Sequence, residues 1–172
     1  SGIVSVTSVL MVYFFNTGLP VPLIVLLAVC VGCGVGCING FLVKIIGINP
    51  LISTIGTLSV FTGLGKWIST AIASENIYNK AYLKIGSTIL GRQIPVLLLY
   101  MVGIYIILSL ILKYTRFGRN IYAVGGNFEI ARLAGIKAVR VQFLTYIISG
   151  AFAGLAAVLL TSQLASGRPE FG

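Results

Sequence analysis

The chain has 172 residues, of which 58% are hydrophobic and only 9% charged, with net charge +9 and mean hydropathy +1.06. A soluble domain carries about a quarter charged residues, so this chain has too few to cover a water-facing surface and reads as a membrane protein. It contains no His and no Asp, and its only acids are Glu75, Glu129 and Glu170. That excludes His-based triads, two-carboxylate sites and the common zinc sites, and leaves almost nothing for acid–base catalysis within the chain.

A bilayer-spanning helix needs about 20 mostly apolar residues, and five stretches qualify as candidates. The first covers about 2–15 and reads as a helix cut near its beginning; with no basic leader it is not a signal peptide. The second, about 21–44, starts after "GLPVP", where Pro20 and Pro22 mark the break. It carries "VCVGCGVGC". Cys30, Cys33 and Cys37 have no His or carboxylate near them and read as small, soft packing residues rather than a metal cluster. Gly32, Gly36 and Gly40 repeat every four residues, and the fifth span repeats the pattern with Gly150 and Gly154. Such faces let membrane helices approach closely.

The third span, about 50–73, opens on Pro50 and carries Ser53, Thr54, Thr57, Ser59 and Thr62. This strip reads either as interhelical hydrogen bonding or as the polar lining of a translocation path, for which Thr57 and Phe61 are the candidate residues. Lys66, beside Trp67, lies in the last third of the helix, where Lys snorkels and Trp anchors at the interface. The fourth span runs over about 95–113 from Pro95, and the fifth over about 140–165. The fold class is all-α: a polytopic transmembrane helix bundle, with 1–172 forming part of one membrane domain. "GCGVG" lies mid-helix and "GLGKW" lacks the rest of a phosphate loop, so neither is a nucleotide site.

The segment 113–140 holds Lys113, Arg116, Arg119, Arg132, Lys137 and Arg140 against Glu129 alone. Positive charge is retained on cytoplasmic loops, so this segment faces the cytoplasm and accounts for the basicity without nucleic acid. Alternation then places 44–49 inside, and 16–20, 74–94 and the C-terminal tail outside. The outer loop still carries Lys80, Lys84 and Arg92 against Glu75, so the bias is not clean.

Within the loop 114–139, Gly125-Gly126-Asn127 predicts a chain break. Asn127 is placed to cap a helix of about two turns, with Glu129 in its first turn and Gly135 closing it. So short a helix is unstable alone in water and needs a surface to lie on; lipid headgroups and a partner protein both qualify.

The residues Glu129-Ile130-Ala131-Arg132-Leu133-Ala134-Gly135 resemble the E-A-A-x-x-x-G loop of ATP-driven importer permeases, with Ile130 in place of the first Ala and no I-x-L-P after Gly135. "TRFGRNIYAVGGNFEIARLAGI" is more closely similar to the cytoplasmic loop of the ribose-type sugar permeases of bacterial ABC importers. "NGFLVKIIGINPLISTIGTLSVFTGL" resembles a second signature of that family, and "SGIVSVTSVLMV" resembles the stretch just after its Asp-Leu-Ser start. The resemblance covers essentially the whole chain and about the middle half of such a permease, so the chain reads as an internal piece.

The resemblance implies a multi-pass permease subunit in the bacterial cytoplasmic membrane, with no cofactor of its own. Its implied partners are a cytoplasmic ATPase, a second permease chain, identical or paralogous, and an extracytoplasmic substrate-binding protein. The short helix would couple to the ATPase through Asn127, Glu129, Ala131, Arg132 and Gly135: Ala131 for close approach, Gly135 for the exit turn, Glu129 for capping and orientation. Basic residues around it would pair with acidic groups on the partner or with anionic lipid. The implied cargo is a monosaccharide or similar small polar solute. An ion-coupled carrier or channel is the alternative, but it needs buried ionisable groups along its path, and only Lys66 is available.

Overall fold

The computed structural model describes residues 2–16, 18–72, 89–90 and 94–164. The bundle is all-α, as its composition predicts. It comprises α1 (Gly2–Asn16), α2 (Val21–Phe41) continued by a π-helical turn (Leu42–Ile46), α3 (Pro50–Ile72), α4 (Val96–Tyr114), α5 (Arg116–Gly126), α6 (Phe128–Leu133) and α7 (Ala138–Leu164). A two-residue antiparallel ladder, Ile89–Leu90 with Ile94–Pro95, precedes α4, so Pro95 ends a strand instead of opening the helix. The outer-loop charges Glu75, Lys80, Lys84 and Arg92, and the C-terminal tail, lie outside the described residues.

Three helices are long and apolar enough to cross a bilayer, over 21–46, 50–70 and 138–163; α4 and α5 together, bent by 78°, bring the number to as many as four. α1 is a shorter apolar helix. Proline sets two of the starts. Pro20 and Pro22 flank the first residue of α2, and Asn49 caps α3 by accepting from the Leu51 N–H at 2.9 Å, with Pro50 next in the chain.

The closest helix pair is α2 with α7. A methyl on Gly32 would land on the Gly150 carbonyl, one on Gly154 on the Ala28 carbonyl, and one on Gly40 within 2.9 Å of the Phe143 ring. Residue numbers rise along α2 as they fall along α7, so the two run antiparallel. In α1 and α3 the pairs Gly2 with Leu58 and Ser5 with Gly65 rise together, so these helices run parallel. Both relations are those of a chain threading back and forth through a bilayer. α4 and α7 share a cavity lined by Leu98, Leu108, Phe152 and Gln163.

Two apolar clusters lie toward opposite ends of the bundle. One contains Met11, Val12, Ile24, Ala28 and Val158; the other contains Val124, Ala131, Ala138 and Val141. Only α7 contributes to both. Lys66 and Trp67 are exposed on the later part of α3, as an interfacial anchor requires. Cys30 is exposed, Cys33 and Cys37 are partly buried, and all three are free. Among the described residues, no three potential ligands come together to hold a metal ion.

Candidate functional site: a polar cavity and a basic cap

The first candidate region is a cavity of about 270 Å³ between α1, α2 and α3, lined by Gly2, Ile3, Val35, Asn39, Thr54, Ile55, Thr57, Leu58 and Phe61. It lies just below the lower end of the range for small-molecule sites, about 300–1,000 Å³. Both candidate path residues, Thr57 and Phe61, line it. Asn39 does too, a residue the sequence reading passed over. The signal was a lone amide inside an apolar run, "GCINGF", since a strong hydrogen-bonding group in a membrane helix is costly unless it is paired.

The Thr57 hydroxyl donates to Asn39 Oδ1 at 2.7 Å, joining α3 to α2. A contact with the Thr54 carbonyl at 3.1 Å competes for the same proton. With one lone pair of Oδ1 engaged, its second lone pair and the amide N–H groups are the remaining polar capacity of Asn39 at the cavity wall. Among the described residues no charged side chain lines the space, and Phe61 supplies an aromatic face. The site suits a small neutral solute with hydroxyls to hydrogen-bond and C–H surface to lay on a ring.

The rest of the α3 strip differs from the expected interhelical network. Thr54 donates to Pro50 O at 2.9 Å and Ser59 to Ile55 O at 3.2 Å, both within their own helix. Ser53 is buried, and its hydroxyl has no hydrogen-bond partner. Back-bonding to the preceding turn satisfies a hydroxyl locally, so a Ser/Thr-rich face need not join two helices. Of these, Thr57 makes the bridge.

The second region is the cap formed by α5, α6 and the start of α7. Here the structure narrows the break expected at Gly125-Gly126-Asn127 to its last residue. α5 runs through both glycines, and the chain turns only at Asn127. Asn127 Oδ1 then accepts from the Ile130 N–H at 3.0 Å and caps α6. At the other end, the Gly135 N–H donates to Arg132 O at 3.0 Å and the Ile136 N–H to Ala131 O at 3.1 Å. Gly135 has φ +82. This is a Schellman closure, with Gly135 in the left-handed position and Ile136 packed back on the helix.

Ala131 is only 3% exposed, packed with Val124, Ala138 and Val141. Its methyl packs against this chain's own α5 and α7. The outer face of α6 belongs to Ile130 and Leu133, 64% and 83% exposed. Beside them, Glu129 and Arg132 form an exposed ion pair at 3.4 Å. The cap is tied to the membrane helices at a second point: Lys44, in the π turn after α2, places its ammonium 5.9 Å from the centre of the Phe128 ring.

The described residues thus form a bundle of apolar helices with an uncharged polar cavity inside and a basic helical cap at one end, the architecture of a membrane-embedded domain. The whole chain, residues 1–172, matches the family described as "Branched-chain amino acid transport system / permease component", and the chain belongs to that family. It is 37% identical over 133 residues to the L-arabinose transport system permease protein AraH of Escherichia coli (strain K12), covering 77% of this chain and 40% of that protein. It is 36% identical over 138 residues to the Ribose import permease protein RbsC of Bacillus subtilis (strain 168), covering 78% and 42%. With the Autoinducer 2 import system permease protein LsrD of Yersinia enterocolitica it shares 32% over 175 residues, 98% of this chain and 52% of that protein. The chain thus spans about half the length of the curated relatives it matches. No solved structure matches it.

Proposed function

We propose that this chain is part of one transmembrane permease domain of an ATP-binding-cassette importer in the bacterial cytoplasmic membrane. It moves a monosaccharide or a similar small polar solute inward and is not itself an enzyme, ATP being hydrolysed on a separate cytoplasmic subunit. The observation that carries the reading is the match of all 172 residues to a permease family whose named relatives include arabinose and ribose transporters. The uncharged cavity with Asn39, Thr57 and Phe61 supports it, since a neutral polyol needs hydrogen-bond partners and an aromatic face but no ion.

This reading assigns the remaining parts. The cap faces the cytoplasm, and the outer face of α6, with Ile130 and Leu133 at its centre and Glu129 and Arg132 beside them, sits in the ATPase. Asn127, Ala131 and Gly135 hold that short helix in shape. A second permease chain completes the path, and an extracytoplasmic protein delivers the solute.

The test is ATP-dependent uptake of labelled arabinose, ribose and allose into proteoliposomes holding the full-length permease with its ATPase and binding protein. Uptake should require all three components and ATP. Accumulation by the permease alone, driven by an ion gradient, would refute the assignment in favour of a secondary carrier.

A further inference from the structure

We propose that the elbow between α4 and α5 is a binding site for an anionic phospholipid. The elbow is a built feature. Thr115 caps α5 by accepting from the Gly118 N–H at 3.1 Å, while its own hydroxyl donates to Ile111 O at 2.6 Å in the last turn of α4. One side chain thus closes the end of one helix and the start of the next. A methyl on Gly118 would land on the Leu112 carbonyl, so only glycine lets α5 turn back this tightly. The result is a 78° bend that sets α5 across the axis of the membrane-crossing α4.

The bend encloses a cavity of about 600 Å³ with two kinds of wall. Leu108 and Leu112 give an apolar side that continues along α4, and Tyr105 and Tyr122 are exposed beside it. Lys113 from α4 and Arg119 from α5 reach the same space from opposite arms. Two cations over an apolar slot, with Tyr122 of α5 beside them, match a phosphate with acyl chains below it. A free phosphate would leave the leucine wall unfilled.

Lys113 and Arg119 are exposed, and no described carboxylate meets their charge. Among the described residues the only carboxylate is Glu129, and it pairs with Arg132 on α6. Lys113 has the Tyr114 ring at 5.6 Å, which does not neutralise it. Charge complementarity therefore points to the bilayer's anionic lipids. This inference needs the cap to lie at a membrane surface, and it stands whether or not the chain carries sugar.

The experiment is native mass spectrometry of the full-length protein released from nanodiscs of equal phosphatidylglycerol and phosphatidylcholine with identical acyl chains. The wild type should retain phosphatidylglycerol over phosphatidylcholine by about tenfold, as expected where two charge-assisted contacts discriminate. The double variant Lys113→Gln/Arg119→Gln should fall to near parity. Lys137→Gln/Arg140→Gln, which removes the same charge from the same end of the bundle, should keep the preference. Unchanged retention in the first variant, or equal loss in both, would overturn the proposal. Should the first variant melt early, Arg119→Gln alone carries the comparison, since its exposed side chain is not needed for packing.

Discussion

The α2–α7 crossing sets up a quantitative comparison between two glycines of one bundle. In Gly150→Ala the new methyl would fall on the Gly32 carbonyl oxygen and stand 3.0 Å from Gly36 Cα and 3.1 Å from the Gly32 carbonyl carbon. These are backbone atoms, which cannot rotate away, so the two helices must part along their length. Gly34, on the other side of α2, has nothing within 4 Å of the same methyl. Both substitutions gain the same helix-propensity increment, about 1 kcal/mol at most, so that increment cancels between them. What remains is the overlap, about 1–3 kcal/mol for an overpacked site. The unfolding equilibrium of Gly150→Ala should therefore lie about five- to 150-fold further toward unfolding than that of Gly34→Ala. Denaturant titration of the detergent-solubilised full-length protein, followed by circular dichroism, reads the difference. Equal midpoints for the two variants would show that the crossing tolerates a methyl and would remove the close approach from the account of the fold.

The cavity and the cap carry further expectations. Thr57→Val removes the hydroxyl that bridges α3 to α2, a loss of about 0.6 kcal/mol for an average membrane hydrogen bond; stability should barely move, while ATP-driven uptake should fall several-fold. Asn39→Leu should lower uptake further, and a double variant no worse than Asn39→Leu alone would place both groups in one unit. Leu133→Asp should abolish co-purification of the ATPase subunit without changing the thermal midpoint, because the side chain is 83% exposed; retention of the ATPase would reject α6 as its contact. Glu129→Gln should alter stability by under about 0.5 kcal/mol, since its pair with Arg132 is exposed. Gly135→Ala must hold a left-handed φ of +82 and should lose about 1 kcal/mol or more, seen as faster hydrogen exchange over 128–136.

The long spans were legible because lipid imposes a simple code: about 20 apolar residues, proline near a start, small residues where helices cross. The caps of α6 were equally legible, since Asn127 and Gly135 act through local backbone geometry that needs no distant partner. α5 was not. Its glycines, Gly118, Gly125 and Gly126, signal breaks by propensity, yet the Thr115 cap and the packing of Phe117, Ile121 and Val124 onto the cluster around Ala131 override them. The same cluster turned Ala131 inward. Whether a small residue serves its own chain or a partner depends on tertiary packing that a single sequence does not display. In the cavity, Thr57 and Phe61 stood out from a polar strip, whereas Asn39 acquires its place only when α2 and α3 come together.

One consequence of the architecture concerns α7. It has 27 residues, about 40 Å of helix at about 1.5 Å per residue. Gly150 and Gly154 pin it to α2 near its midpoint, and its two ends lie in separate apolar clusters. The contact is not a single point: it runs from Gly40 beside Phe143, through Gly32 beside Gly150, to Ala28 beside Gly154 and Val158. α2 and α7 are therefore clasped along most of α2, and a load delivered at the Ala138 end meets a two-helix strut that ends in the cluster around Val158.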